Sequence, residues 1–216
     1  MHMPTIFFDL DGTLIDSQLG IFRSATHALE QLDCPVPDAA TLHGWIGPPL
    51  RDSFATVLPT STMVEQALHL YRARYDHEGW REHTVYEGIG DAVETLHAAG
   101  FQLAVVTAKN EPHARRIIEH LPFGHRFADV VGATLDGRLS HKPELIAEAL
   151  RRLSLPPRRI AMVGDRRMDM EGAGVHGLRG IGVLWGFGDE AELLGAGADA
   201  LVAHPSGLHE ALATLL

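Results

Sequence analysis

Short apolar runs alternate with amphipathic segments along most of this chain. Residues 101–106 and 159–163 are mostly apolar, which is typical of strands covered on both faces of a parallel sheet. Between such runs, apolar residues recur at intervals of three and four, which predicts helices. This alternation predicts an α/β fold with a Rossmann-like, doubly wound parallel sheet. Besides a first strand that ends before Asp9, the predicted strands cover 101–106, 127–131, 159–163, 180–184 and 200–202. The predicted helices cover 17–32, 90–99, 111–121, 142–153, 167–174, 190–194 and 207–216.

One block interrupts the alternation. From Asp38 to about Arg81 the sequence predicts only helices, which are joined by turns rich in proline, glycine and serine. Because this block follows the first strand and precedes the next strand–helix unit, we interpret it as a helical cap domain inserted into the sheet domain. The predicted helices of the block cover 38–45, 49–58 and 62–81.

The predicted domains follow from this insertion. We assign residues 1–15 and 85–216 to the α/β core and residues 16–84 to the cap. Hinges are expected near 15–18 and 84–88, so that the cap closes over a substrate.

Composition narrows the possible partners. The chain has 216 residues, 45% of them hydrophobic, and a formal net charge of −10 without a basic run. Nucleic acid and anionic membranes are therefore not expected partners. A single cysteine, Cys34, cannot form an internal disulfide, and no apolar run of 18 residues or secretory signal is found. We expect a cytoplasmic protein, as a monomer or homodimer.

The first strand ends in a pair of acids. The apolar residues 6–8 lead into the sequence Asp-Leu-Asp-Gly-Thr, with carboxylates at Asp9 and Asp11. Side chains two apart in an extended segment share a face, and two like charges that close are costly unless a cation or a proton lies between them. Gly12 lets the chain turn and directs N–H groups at an anion. This pattern predicts a divalent metal beside a carboxylate that is free to attack.

Two other interpretations of this segment are weaker. An ordinary hairpin fits the segment taken alone, because Asp-Gly is a strong turn signal. A calcium loop does not fit, because Thr13 and Leu14 stand where a third oxygen ligand and a glycine are needed.

Two further candidate groups follow predicted strands and contain the only two lysines of the chain. Thr107, just after residues 101–106, offers a hydroxyl and exposed N–H groups to a phosphate oxygen, although a helix N-cap by Thr107 or Asn110 fits equally well. Lys109 follows in the same loop, with a role that the pattern leaves open. Lys142 begins a predicted helix, where a positive charge opposes the helix dipole, so Lys142 is better explained if it faces an anion.

A second acid pair follows a later strand. Asp165 ends the apolar run 159–163 and Asp169 is four residues further on, so both lie on one face if a helix begins at Asp165. Acids also complement a helix N-terminus, which alone explains them. The sharper hypothesis makes Asp165 a metal ligand and Asp169 a partner that orients the ligands. All four groups follow strands of one predicted sheet, at the edge where such folds bind ligands.

These groups and their order resemble the haloacid dehalogenase superfamily, in its phosphoglycolate phosphatase-like group with a helical cap. The matching features are Asp-x-Asp-Gly-Thr at 9–13, the Thr107 motif, Lys142 and Gly-Asp-x-x-x-Asp at 164–169. They extend over nearly the whole chain. Gly-Asp-Arg at 164–166 departs from the commoner Gly-Asp-Ser/Thr and is similar to a subgroup linked with nucleotidase or phosphoglycolate phosphatase activity, which leaves the role of Arg166 open.

The resemblance implies a Mg²⁺-dependent phosphatase. Asp9 would attack phosphorus and become an aspartyl-phosphate, while Asp11 would protonate the leaving alkoxide and later take a proton from water. Mg²⁺ would be held by Asp9, the backbone carbonyl of Asp11 and Asp165. The implied phosphate-binding residues are Gly12, Thr107, Ala108 and Lys142.

The substrate implied is a small phosphorylated metabolite, a phosphate monoester similar to phosphoglycolate or to a nucleotide. The cap segment 45–51 resembles the specificity segment of the family, so Pro49 and Arg51 would contact the substrate. A solvated surface arginine explains Arg51 equally well. A sugar-phosphate mutase with the same core, and a phospho-accepting signalling module without turnover, are the alternative functions.

Overall fold

A strand of four buried residues, Thr5–Phe8, lies between two longer partners inside a six-stranded sheet. The computed structural model describes residues 3–216; Met1 and His2, with which the predicted core begins, lie outside the described residues. In chain order the strands and α-helices are β1 (Thr5–Phe8), β2 (Ile15–Asp16), α1 (Gln18–Gln31), α2 (Ala39–His43), α3 (Leu50–Ala55), α4 (Ser61–His77), β3 (Thr84–Val85), α5 (Ile89–Ala98), β4 (Gln102–Asn110), α6 (Glu111–His120), β5 (Phe127–Ala133), α7 (Lys142–Arg152), β6 (Ile160–Gly164), α8 (Arg167–Val175), β7 (Arg179–Val183), α9 (Glu190–Gly195), β8 (Ala200–Val202) and α10 (Leu208–Leu215).

The sheet is parallel, with the strand order β5-β4-β1-β6-β7-β8. Phe8 is in register with Val105 of β4 and with Val163 of β6. The residues that follow these three positions therefore meet at the carboxyl edge of the sheet. A parallel sheet of this kind binds its ligands at that edge.

The two faces of the sheet are covered by different helices. Ile6 and Phe8 point into one apolar core, which continues into the helices between β2 and β3, while Phe7 points into a second core. The second core includes Leu145 of α7 and Ala173 of α8. Alternate side chains of one short strand thus fix both layers, as expected for a strand buried on both faces.

Helices α1 to α4 all lie between β2 and β3 in the chain, and β2 pairs with β3 as an antiparallel ribbon. The register joins Ile15 with Val85 and Asp16 with Thr84. The ribbon therefore brings both ends of the helical insertion to one place. The exact division into a cap at 16–84 and a core stays a prediction.

The predicted fold class, an α/β doubly wound parallel sheet with a helical insertion, is confirmed. Two details differ. The two-residue strands β2 and β3 are too short for a periodic pattern, so the sequence does not reveal them. Strand β4 also runs on to Asn110, with an irregularity after Thr107 that leaves Ala108 and Lys109 out of the ladder. Among residues 3–216, no helix has both the length and the apolar composition that crossing a bilayer requires.

Candidate active site

Asp9 stands at the carboxyl end of β1, where its backbone is fixed by the neighbouring strand. Its N–H donates to the carbonyl of Val163 at 2.9 Å, and its Oδ1 accepts from the N–H of Leu10 at 2.8 Å. Burial raises the pKa of Asp9 to about 6, although the nearby Lys142 opposes this shift. The carboxylate is thus held in a low-dielectric position from which it faces a pocket.

Lys142 is the first residue of α7 and is buried. Its Nζ lies 3.1 Å from Asp9 Oδ1 and 2.7 Å from Asp169 Oδ1, and it donates to the carbonyl of Val106 at 2.9 Å. Burial alone lowers the pKa of Lys142, but the carboxylates of Asp169 and Asp9 raise it to about 12. The anions that this helix-starting lysine contacts are two carboxylates of the protein, while its contact with a phosphate stays a prediction.

Asp165 follows β6 and is completely buried. Its Oδ1 accepts from Thr13 Oγ1 at 3.1 Å, and its Oδ2 accepts from the N–H of Phe187 at 2.8 Å. Burial raises the pKa of Asp165 well above its ordinary value, and the carboxylates of Asp169 and Asp9 raise it further. These contacts orient the carboxylate, while its neighbours make an uncompensated negative charge unfavourable.

The structure brings Asp165 and Asp169 together with Asp9, although α8 begins at Arg167 and not at Asp165. One oxygen from each of the three carboxylates lies within 4.8 Å of the others. Asp169 also caps its helix, because its Oδ2 accepts from the N–H of Arg166 at 3.1 Å. Asp169 therefore caps the start of α8 and also belongs to the group of three carboxylates.

The role of Gly12 differs from the predicted one, which is to direct its N–H at an anion. Its backbone is left-handed, with φ of +84°, and a Cβ at this position would lie 2.1 Å from Asp165 Oδ2. Its N–H donates to the carbonyl of Ile15 at 2.8 Å, so this N–H is used inside the turn and is not directed at an anion. The glycine is required because the turn packs directly against the Asp165 carboxylate.

Asp11 does not join the group of three carboxylates. Both of its carboxylate oxygens accept from Lys109 Nζ, at 2.8 and 2.9 Å, and the Lys109 ammonium lies 4.8 Å from the centroid of the Tyr75 ring in α4. A side-chain metal ligand at Asp11 is therefore not indicated. The expected contribution of Asp11 to the metal, through its backbone carbonyl, stays a prediction.

Thr107 and Ala108 lie at the irregular end of β4, next to Asp9. Thr107 is buried, and its Oγ1 accepts from the N–H of Lys109 at 3.2 Å. The N-cap residue of α6 is Asn110, but its side chain makes no capping hydrogen bond. The N-cap explanation of Thr107 is therefore wrong, while its binding of phosphate stays a prediction.

The predicted specificity residues Pro49 and Arg51 line the same pocket as Asp9 and Asp11. This pocket encloses about 100 Å³, and it lies between the carboxyl edge of the sheet and the helices that follow β2. The Arg51 guanidinium forms an ion pair with Glu65, and both side chains remain partly exposed, so the contact of Arg51 with a substrate stays a prediction. The pocket brings together the following predicted site residues: Asp9, Asp11, Pro49, Arg51, Thr107 and Ala108.

The site contains several groups that the sequence does not predict. The sequence places Lys109 in the loop of Thr107, but no pattern in it predicts the contact of Lys109 with Asp11. Tyr71 and Tyr75 line the pocket from α4, and their spacing of four residues is the signal that could have placed them on one helix face. Phe187 contacts Asp165 through its backbone N–H, which no sequence pattern reveals.

Proteins with related sequences cover most of this chain. A 5'-nucleotidase of Pseudomonas aeruginosa is 40% identical over 194 residues, which are 89% of this chain and 88% of that protein. Tyrosine-protein kinase PtkA of Mycobacterium tuberculosis is 38% identical over 205 residues, 95% of this chain and 70% of that protein. The chain is therefore similar to proteins with different named activities on phosphate groups.

Solved structures agree with the fold. The crystal structure of a protein from Clostridium acetobutylicum, described there as a predicted phosphatase, superposes with a TM-score of 0.93 at 36% identity, and it covers 99% of this chain and 100% of that one. The structure of M. tuberculosis PtkA superposes with a TM-score of 0.80 at 38% identity and covers 98% and 99% of the two chains. Residues 6–183 match the family described as haloacid dehalogenase-like hydrolase, which confirms the resemblance seen in the sequence. The chain belongs to the haloacid dehalogenase-like hydrolase family.

Proposed function

We propose that this protein is a Mg²⁺-dependent phosphatase that hydrolyses a small phosphate monoester through an aspartyl-phosphate on Asp9. The observation that carries the proposal is the meeting of Lys142 and Asp165 at Asp9, which itself lines a pocket together with Asp11. A buried nucleophile, a fixed positive charge and a set of oxygen ligands are the parts that phosphoryl transfer needs.

The donor set fits a divalent cation. Asp9, Asp165 and Asp169 offer three hard carboxylate oxygens, and Lys142 supplies the only ammonium within 4 Å of any of them among residues 3–216. Three carboxylates against one ammonium leave two negative charges without compensation, in a place where burial already disfavours charge. Asp9, Asp165 and the carbonyl of Asp11 would hold Mg²⁺, and Asp169 would keep Lys142 in position.

Bound there, Mg²⁺ would withdraw charge from the phosphoryl oxygens. The residues of the chain then divide the reaction between them. An Asp9 oxygen forms a bond to phosphorus while the bond between phosphorus and the leaving oxygen breaks, and Asp11 gives that oxygen a proton. In the second step water attacks phosphorus, Asp11 takes its proton, and the bond to Asp9 breaks. The phosphoryl oxygens would meet Lys142, Thr107 and the Ala108 N–H, which act by position and charge.

The pocket suggests how a substrate is held. Pro49 and Arg51 reach the pocket from the helical insertion, and we propose that residues 16–84 act as a cap that closes over the substrate. A small organic phosphate fits a pocket of this size better than a macromolecule does. Substrates similar to phosphoglycolate or to a nucleotide remain the proposed class.

The names of relatives support a phosphoric monoester hydrolase. They include the 5'-nucleotidase already described, a pyrophosphatase of Anoxybacillus flavithermus at 35% identity and a phosphoglycolate phosphatase of Colwellia psychrerythraea at 27% identity. These names differ in substrate and agree in the cleavage of a phosphate bond. The kinase name of PtkA makes transfer of the phosphoryl group to another acceptor an outcome to test.

The central experiment compares Asp9→Asn with the wild-type protein on p-nitrophenyl phosphate and on a panel of phosphorylated metabolites, with free phosphate as the readout. We expect Asp9→Asn to abolish turnover, because an amide cannot form the phosphoenzyme. Asp91→Asn is the matched control, since Asp91 is an exposed acid in α5 and does not line the pocket.

Each alternative function predicts a different product. Turnover by Asp9→Asn at the wild-type rate would refute the proposal. A sugar-phosphate mutase would yield an isomerised phosphosugar without free phosphate. A phospho-accepting module would yield a stable phosphoprotein without turnover, which mass spectrometry of the intact protein would detect.

A further inference from the structure

Lys109 has no role in the reaction proposed above, although it contacts Asp11. Its ammonium donates to both oxygens of Asp11, at 2.8 and 2.9 Å, and its side chain is only 6% exposed. The chain has two lysines and sixteen arginines, and this lysine is one of the two. A buried lysine that is bound to the second aspartate of the motif therefore calls for an explanation of its own.

The local backbone explains how Lys109 reaches Asp11. The register of β4 with β5 shifts between Thr107 and Asn110, so Ala108 and Lys109 leave the ladder at the edge of the pocket. Such an irregularity re-aims side chains at the end of a strand. Here it directs the Lys109 side chain across the pocket edge to the loop that follows β1.

The position of the ammonium is fixed from a second side. The aromatic ring of Tyr75 lies with its centroid 4.8 Å from Lys109 Nζ, within the range of a cation–π contact. Tyr75 belongs to α4, in the helical insertion, and is almost fully buried. The placement of Lys109 thus depends on contacts from both the sheet edge and the insertion.

The carboxylate of Asp11 needs such a restraint. Asp9 precedes it by two residues in the loop, and two carboxylates on one short segment repel each other. The Lys109 ammonium offsets this repulsion, and its two contacts fix the orientation of the Asp11 side chain. An ammonium carries three donors on a rotatable group, so it can keep one Asp11 oxygen while the other oxygen faces a leaving group.

We propose that Lys109 is a positioning residue that holds the Asp11 carboxyl group at the pocket edge, in place for proton transfer to the leaving oxygen. The inference rests on the proposed phosphatase function. It assigns Lys109 no contact with phosphorus, so its effect reaches the reaction only through Asp11.

Leaving-group dependence separates this role from a structural one. An alkoxide is a poor leaving group and needs the proton of Asp11, whereas p-nitrophenolate leaves without it. We expect Lys109→Met to lower kcat/KM for an alkyl phosphate such as glycerol phosphate roughly 10- to 100-fold, a part of what general acid catalysis supplies. For p-nitrophenyl phosphate, kcat/KM should fall by less than about threefold, because only the positioned proton is lost.

Tyr75 provides a matched pair of variants that leave Lys109 in the chain. Tyr75→Phe keeps the ring beside the Lys109 ammonium, so the ratio of kcat/KM between the two substrates should stay that of the wild type. Tyr75→Leu removes the ring and should lower kcat/KM for the alkyl phosphate in the same direction as Lys109→Met, by a smaller factor. These two variants test the inference even if Lys109→Met does not fold, and circular dichroism checks the fold of each.

The outcomes separate the inference from the function on which it rests. Equal losses on both substrates, no loss on either, or a gain on the alkyl phosphate would overturn the role of Lys109. If the wild-type protein hydrolyses neither substrate, the proposed function fails instead. Hydrolysis of p-nitrophenyl phosphate by every variant, with selective loss of the alkyl phosphate, is the supporting result.

Discussion

Two lysine–aspartate contacts lie at the same edge of the sheet and differ in what surrounds them. Lys142 contacts Asp9 and Asp169, and these side chains are 1%, 4% and 0% exposed. Lys109 contacts Asp11 alone, and their side chains are 6% and 10% exposed. The first contact lies inside the core. The second lies at the pocket, next to the ring of Tyr75 from the insertion.

The difference is one of charge balance. Around Lys142 there is an excess of carboxylates, because Asp165 joins Asp9 and Asp169 in one group. Around Lys109 one ammonium meets one carboxylate. We therefore expect the first region to bind a divalent cation and to depend strongly on its lysine, whereas the second is balanced within the protein. Asp9 and Asp11 are two residues apart, yet the fold gives them these separate environments.

The largest expected effect is the loss of stability in Lys142→Met. This change leaves Asp9 and Asp169 buried without their ammonium, and removing one partner of a buried ion pair costs about 3–5 kcal/mol. Lys109→Met should cost less, about 1–3 kcal/mol, because it leaves only one carboxylate without its partner, and that carboxylate lines the pocket. Urea unfolding without Mg²⁺ measures both free energies, and equal losses would contradict the difference between the two regions.

The next effect concerns Mg²⁺ itself. A cation that binds only the folded state raises the free energy of unfolding by about 2.7 kcal/mol at 100 times its Kd. Asp165→Asn should lose most of this stabilisation, because it removes one of the three carboxylates. Lys109→Met should keep it, because Asp11 offers no side-chain oxygen to the group.

Thermal unfolding in EDTA and in Mg²⁺ measures this stabilisation, and Asp91→Asn serves as the control for a lost surface charge. A wild-type protein that unfolds at the same temperature in both solutions would argue against the metal. If Lys109→Met lost the stabilisation as fully as Asp165→Asn, the two regions would have to be regarded as one.

The sequence predicts the region around Lys142 much better than the region around Lys109. The apolar runs before Asp9 and Asp165 locate both acids at strand ends, and a helix that starts with Lys142 points to a nearby anion. These are local patterns, and a parallel sheet brings strand ends together. The contact of Lys109 with Asp11 depends on an irregularity in β4 and on an aromatic ring from α4, and neither leaves a periodic signal.

Gly12 is a second case in which a long-range contact leaves no pattern in the sequence. Its left-handed turn is predictable from the residue type, but its reason is the close approach of Asp165, more than 150 residues later in the sequence. Long-range contacts of this kind decide which of several local interpretations is correct. The sequence therefore predicts the residues at this edge more reliably than it predicts their partners.

The smallest expected effect is that of replacing Arg166. This replacement tests whether Arg166 links the group of three carboxylates to the pocket. Its guanidinium donates to the carbonyl of Ile46 in the insertion and lies 2.9 Å from Glu192 in α9. A Cβ at Gly47 would lie 3.0 Å from Arg166 Cγ, so the segment before Pro49 rests directly on this arginine. Arg166→Met should release that segment and raise KM about fivefold, the equivalent of about 1 kcal/mol for a lost hydrogen bond.

Steady-state kinetics and Mg²⁺ titration of Arg166→Met decide whether Arg166 supports the pocket or the carboxylate group. Arg166 follows Asp165 directly, but its side chain points to the insertion and its backbone N–H donates to Asp169 in either variant. The Mg²⁺ concentration for half-maximal activity should therefore stay unchanged while KM rises. Glu192→Gln is the control, because it weakens the anchor of Arg166 and leaves the contact with Ile46. A shift in the Mg²⁺ requirement without a change in KM would mean that Arg166 supports the carboxylate group and not the pocket.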